Sequence, residues 1–220
     1  MPPARPQADT IYPGQAYRPA LTRLPEAYLS EEWAVAAVEL NRIARGFTVC
    51  DAMVKVAPVT LIETAPLCPG KYIIIVGGEV ASVEIAYETG LDVGGTAVID
   101  RLLLAKADLQ IFRALVGEAK QQVAFEAGDS LGVIETCSAA SAILAADAAC
   151  KAAAVRLADC HIAQGLGGKG YLFFFGALNA VEASVDAGGA AIAPEGLLVG
   201  TEVVPNPDPR LVERLMREVP

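Results

Sequence analysis

Five cysteines and one histidine are the residues of this chain best suited to metal or redox chemistry: Cys50, Cys68, Cys137, Cys150, Cys160 and His161. They include no CxxC pair, and their odd number leaves no closed disulfide frame. They read as free thiols or metal ligands in a reducing compartment. Cys68 stands apart, because Pro66-Leu67-Cys68-Pro69-Gly70 places it between two prolines that stiffen the loop. One cysteine does not hold an iron–sulfur cluster by itself, since such clusters take about four thiolates. Cys50 and Cys150 fall on Ala-rich helical stretches, Cys137 and Cys160 flank strands, and all four read as small packing residues. His161 beside Cys160 invites a shared metal ion. Neighbouring strand residues point to opposite faces, however, so His161 reads as a packing or inter-subunit hydrogen-bonding residue.

No other constellation suggests catalysis. With a single His the chain offers no acid–base set, and the carboxylates Glu39 and Glu135, like Glu84 and Glu182, recur at matching places in a repeat. Such pairs serve a fold more often than one active site, so no enzyme is expected. The run Gln164-Gly165-Leu166-Gly167-Gly168-Lys169-Gly170 is rich in glycine but lacks the phosphate-loop pattern, and a strand follows it where a helix N-terminus would be needed. It reads as a loop in which glycine lets backbones approach.

The elements that hold these residues come from a soluble chain with a large apolar content. Of 220 residues 54% are hydrophobic and 20% charged, and mean hydropathy is +0.42. Typical domains are about 45–50% apolar, so some of this surface is expected to be buried between subunits. The most apolar runs, Tyr72–Gly78 and Tyr171–Ala177, are far shorter than the ~20 residues of a spanning helix, and they read as strands buried on both faces. No membrane span is expected. The opening Met1-Pro2-Pro3-Ala4-Arg5-Pro6 has no apolar core of a signal peptide, which points to the cytosol. A net charge of −9 without a basic cluster makes nucleic acid an unexpected partner.

The chain repeats itself. At an offset of 96, Glu39 matches Glu135, Asp51-Ala52 matches Asp147-Ala148, and Lys55 matches Lys151. After a two-residue insertion the offset becomes 98, and Gly70-Lys71 matches Gly168-Lys169, Gly78 matches Gly176, and Gly90 matches Gly188. Each copy predicts β-α-β-β-α-β followed by a helical tail, Leu109–Gln122 after the first and Pro209–Glu218 after the second. In the second copy a helix over Ala177–Ala187 is expected to end at Gly188-Gly189. The plan is α+β and ferredoxin-like, with helices on one sheet face. Residues 1–34, with six prolines in the first 25 positions, form an extended arm. The first domain then occupies 35–125 and the second 126–220.

Asp51-Ala-Met-Val-Lys55 with Cys68-Pro-Gly-Lys71, and Asp147-Ala-Ala-Cys-Lys151 with Gly165-Leu-Gly-Gly-Lys169, resemble the bacterial microcompartment (BMC) shell domain. Two in one chain are similar to the trimeric, tandem-domain class in its unpermuted form. Leu67-Cys68-Pro69-Gly70-Lys71, Gly77-Gly78 and Glu88-Thr89-Gly90 narrow the resemblance to the T-type shell proteins of propanediol-utilising microcompartments.

The resemblance implies a structural protein of the microcompartment shell in the cytoplasm: a homotrimer whose six domains form a pseudohexagonal tile with a central pore. Its partners would be copies of itself and other shell proteins. It also implies one [4Fe–4S] cluster per trimer, held on the threefold axis by Cys68 of each subunit, with lumenal redox enzymes as partners in electron transfer. The cluster comes only from the resemblance; by its residues alone Cys68 reads as a small residue lining the opening. That would make a cluster-free, gated metabolite pore, with a trimeric ligand-binding regulator or enzyme as the reading from another class. Pore lining falls to Pro66, Leu67, Cys68, Pro69 and Gly70, and to Gly165, Leu166, Gly167 and Gly168. The resemblance places Lys55 and Lys151 at the tile edge. Where the family carries Pro-Arg-Pro, this chain has Pro205-Asn206-Pro207, and Arg210 takes the place of the edge arginine.

Overall fold

The computed structural model describes residues 33–162 and 167–217. The expected arm, up to residue 32, and Gly165 and Leu166 of the second loop lie outside the described residues. The first repeat runs β1 (Trp33–Leu40), α1 (Ile43–Val56), β2 (Thr60–Leu67), β3 (Lys71–Glu79), α2 (Val80–Gly94), β4 (Val98–Leu104) and α3 (Leu109–Leu115). A short helix α4 (Ala119–Gln122) leads into the second. There follow β5 (Ser130–Thr136), α5 (Ala139–Ala152), β6 (Arg156–Ile162), β7 (Gly170–Gly176), α6 (Leu178–Ile192), β8 (Leu198–Val204) and α7 (Pro209–Met216). The sheets have the orders β2-β3-β1-β4 and β6-β7-β5-β8, antiparallel throughout. This is the ferredoxin-like α+β plan, twice, in the order expected from the repeat.

The central strands are apolar on both faces because both faces are covered. Ala34, Ala36, Val38 and Leu40 of β1 face α1 and α2, where they meet Val49, Met53, Val83 and Ala86. Val35 and Ala37 point the other way, into a cluster that runs on through Ile111 and Phe112 of α3 to Ile143 and Ala146 of α5. One core therefore crosses from the first repeat into the second.

Helix starts differ between the copies. Ser138 caps α5 reciprocally with Ser141, each side chain serving the other's backbone, whereas Arg42 at the start of α1 makes no side-chain cap. The Ala-rich α5 is a strong helix former in its own right. Asp108 and Asp208 cap α3 and α7 by accepting from the N–H of Gln110 and Arg210.

Two expectations are corrected. Gly188-Gly189 do not end α6, which runs to Ile192. A Cβ on Gly188 would lie 2.5 Å from Ile134 Cδ1 and 2.8 Å from the Ala145 carbonyl, so this glycine lets α6 press onto α5 and β5. Close packing, not chain reversal, explains it. The tail over Leu109–Gln122 is not one helix, because Gly117 at φ +78° divides α3 from α4.

Candidate functional site

The loop that carries Cys68 is the tip of the β2–β3 hairpin, whose last pair is Leu67 with Lys71. Gly70 takes φ +82°, which closes the turn, and the Cys68–Pro69 peptide is cis. Pro66, Cys68, Pro69 and Gly70 are exposed, and Cys68 is a free thiol. Leu67 departs from the lining set proposed for it, because its side chain is turned into the core as strand alternation requires.

The matching tip in the second repeat lies alongside. At Gly168 (φ +90°) a Cβ would stand 2.9 Å from the Cys68 carbonyl oxygen, 3.1 Å from Pro69 Cδ and 3.3 Å from Lys71 Cε. Both the backbone angle and the approach of the first hairpin demand glycine there. Gly167 also has positive φ, at +64°.

Behind each tip stands the same ion pair. Lys71 Nζ lies 2.8 Å from Glu39 Oε1, and Lys169 Nζ lies 2.8 Å from Glu135 Oε1. The hydrogen bond to Glu135 holds the Lys169 ammonium above its usual pKa. The environments differ: the Glu39 side chain is fully buried, whereas that of Glu135 is 44% exposed. Glu39 is covered by the second repeat, where the Ala139 N–H of α5 donates to its Oε2 at 3.0 Å.

The repeated lysines behave differently for the same reason. Lys55 pairs with Asp51 one turn back at 2.7 Å, with both side chains in solvent. Lys151 pairs with Asp147 at 2.6 Å and also donates to the Lys106 carbonyl of the first repeat. Asp147 is buried and accepts from the Asp108 N–H at 2.8 Å. Arg210 forms a two-pronged pair with Asp208, at 2.9 Å from Nε and 2.8 Å from Nη2, and holds the Asp208 carboxyl below its usual pKa. Asn206, in the turn before it, adopts φ +48°.

The remaining thiols separate by burial. Cys150 and Cys160 are buried, and burial pushes both pKa values well up. Cys50 is half-buried. Cys137 is exposed, which corrects its reading as a packing residue: it follows β5 in step with the half-exposed Val133 and Glu135, while Ile134 and Thr136 turn inward. His161 stacks on Tyr171 at 5.1 Å between ring centroids, and its neighbour Cys160 points into the core. Among the described residues no group of three or more His, Cys, Asp or Glu is placed to hold a metal ion. A single chain therefore offers one exposed hairpin thiol, Cys68, and iron would fit there only if several copies shared it.

Sequence reasoning missed Gln110 and Ser138. Gln110 donates to the Val155 carbonyl and accepts from the Leu157 N–H, fastening α3 to β6 across the repeats. Ser138 donates to Asp100 as well as capping α5. Only the cap had a signal, a serine followed three residues on by a second serine before an Ala-rich run.

The family model described as the BMC domain matches twice, over residues 34–107 and 130–207. The chain belongs to the BMC-domain family. Similar to it is the bacterial microcompartment shell protein PduT of Citrobacter freundii, 35% identical over 174 residues, covering 79% of this chain and 92% of the relative. A solved microcompartments protein from Desulfitobacterium hafniense DCB is 37% identical, with a TM-score of 0.74, over 82% of this chain and 98% of that one. A fused, permuted hexameric shell protein of the RMM microcompartment shares the fold, with a TM-score of 0.56 at 24% identity, over 74% and 82% of the two chains. This BMC protein is thus a structural component of a microcompartment shell, and not an enzyme. No helix among the described residues is long and apolar enough to cross a membrane.

Proposed function

We propose that this shell protein assembles as a homotrimeric tile with a central pore, and that Cys68 of each copy holds one [4Fe–4S] cluster on the threefold axis for electron transfer across the shell. The observation that carries this reading is the side-by-side placement of the Cys68–Gly70 tip and Gly168, matching loops of the two BMC domains. Continuing that placement round a ring brings six such tips about one opening, with Pro66, Cys68, Pro69 and Gly70 of each copy and Gly167-Gly168 on its rim. Gly165 and Leu166 belong to the same loop in sequence.

A ring of three turns one exposed thiol per chain into three on one axis, which leaves one iron of a cubane open to solvent or a small ligand. When bound, such a cluster accepts and donates one electron at a time. Lumenal redox enzymes on one side and a carrier on the other would be its partners. Lys55, Lys151 and Arg210 would lie at the outer edge and meet neighbouring shell proteins.

The test is native mass, iron and sulfide content and EPR on protein purified without oxygen, wild type beside Cys68→Ser. Trimers with about four irons each, lost in a variant that still forms trimers, support the reading. Trimers without iron after reconstitution would leave a plain metabolite pore with Cys68 on its rim.

A further inference from the structure

Each sheet has a second face, turned away from its own pair of helices. In the second repeat that face carries Leu131, Phe173 and Phe175, and the chain leading into β5 helps to cover it. Val123 and Phe125 join the same apolar cluster as Val212 of α7, with Phe125 edge-on to Phe175 at 5.3 Å between centroids. Just upstream, α4 lies against β6. Its Lys120 reaches Asp159, the register partner of Phe173, at 2.8 Å, and its ammonium stands 5.6 Å from the centroid of the Phe173 ring.

The first repeat has the same face in isoleucine. Ile62, Ile73 and Ile75 are fully buried there, beside Ala65 and Leu67. Glu63 is the register partner of Ile75 as Asp159 is of Phe173; it is 2% exposed and accepts from the Thr64 N–H at 2.7 Å. Among the described residues the helices packed along β2 and β3 are α1 and α2, and both lie on the opposite face, against Tyr72, Ile74 and Val76. The second-domain helix α5 reaches this sheet chiefly at β1 and β4. The cover over Ile73 and Ile75 therefore comes from another part of the chain.

We infer that residues 23–32 are a built part of the first domain, crossing this face of its sheet as residues 120–129 cross that of the second. At the repeat offset of 96, Phe125 matches Leu29 and Lys120 matches Leu24, with Arg23 one position before it. The segment ends at Trp33, where β1 begins beside β3, so it enters at the edge of the surface it covers. The BMC-domain match starts only at residue 34, which leaves this cover outside the family's own domain. Leu29 closes over Ile75, in the room left by Gly77 where the second repeat has the ring of Phe175. The Arg23 guanidinium meets the Glu63 carboxylate as Lys120 meets Asp159. A buried carboxylate needs a counter-charge together with hydrogen bonds, and a guanidinium supplies both. The occupant is thus apolar at Leu24, Tyr28 and Leu29 and basic at Arg23, matched to a face of isoleucines with one carboxylate. The inference stands on the single chain and does not depend on the trimer.

The test is a double-mutant cycle on the full chain, read as urea midpoints. Arg23→Ala should lower the midpoint by about 1 M, and in a Glu63→Gln background the same change should have little further effect. Leu29→Asp should lower it too, whereas Arg18→Ala, upstream of the segment, should leave it unchanged. In parallel, removal of residues 2–30 should bare the isoleucine face and raise binding of the dye anilinonaphthalene sulfonate severalfold, while removal of residues 2–20 should not. Wild-type midpoints in Arg23→Ala and Leu29→Asp, or equal losses from Arg23→Ala in both backgrounds, would overturn the inference. If the chain lacking residues 2–30 keeps the full-length midpoint, and that midpoint rises with protein concentration, the face belongs to a second copy and the inference also fails.

Discussion

The carboxylate of Glu39, on the central strand of the first domain, accepts a hydrogen bond from the backbone N–H of Ala139, in the first turn of a helix of the second domain. The same carboxylate is paired with Lys71 at 2.8 Å, so a buried charge is satisfied from two directions. Removing it leaves a partly buried ammonium and a helix N–H without their acceptor. Glu39→Ala is expected to lower stability by about 2–4 kcal/mol, read as a shifted midpoint in urea. Glu135→Ala, at the solvated counterpart, should move the midpoint of the isolated chain much less.

Gly168 carries a second prediction. Alanine there meets both a left-handed backbone angle and the Cys68 carbonyl, so Gly168→Ala should cost about 2–3 kcal/mol. Gly117→Ala keeps the unfavourable angle but has open space around the new Cβ, and about 1 kcal/mol is expected. Equal losses in thermal melts would show that the two loop tips do not touch.

Thiol chemistry should follow burial. Cys68 and Cys137 are expected to react rapidly with an aromatic disulfide in the native protein, and Cys150 and Cys160 only after denaturation. The buried pair also sets a pH dependence. Their pKa values are raised in the folded state, so above about pH 8.5 the unfolded chain loses thiol protons that the folded chain keeps. The unfolded state then binds fewer protons, and stability falls as pH rises, by about 1.4 kcal/mol per pH unit for each thiol. Urea midpoints between pH 7.5 and 9.5 read this directly. Alanine at both positions should flatten the slope.

The edge assignment predicts a separation of two levels of assembly. Lys55→Ala combined with Lys151→Ala should give particles of unchanged native mass that no longer form extended flat layers in negative stain. Persistent layers would remove these lysines from the edge.

Much of the architecture was open to reading because duplication makes each copy a check on the other. The shift of offset from 96 to 98 falls in the loop between β2 and β3, and the elements from β1 to α2 follow from that alignment; a second shift, to 100, precedes β4 and β8 and had no comparable signal. Residues whose role depends on the neighbouring domain resisted reading. Nothing local distinguishes Glu39 from Glu135, or Lys151 from Lys55, since each pair is one repeat position placed in two surroundings. Gly188-Gly189 misled because a glycine pair marks a helix end and a tight helix crossing equally well, and only the position of Ile134 decides between them. Cys137 misled because flanking a strand does not settle which face a residue joins, and this one falls in step with the half-exposed Val133 and Glu135.

The covalent bond between the two BMC domains has a consequence for how such a protein can change. In a single-domain ancestor every joint of a ring would be identical, and any mutation would strike all of them at once. Here the seam around Glu39 and Asp147 is sealed whenever the chain folds, whatever its concentration. Glu135 and Asp51, the same repeat positions in solvent, answer to no such seam within the chain, so the two copies can diverge under separate selection. Fusion has made that seam a weld.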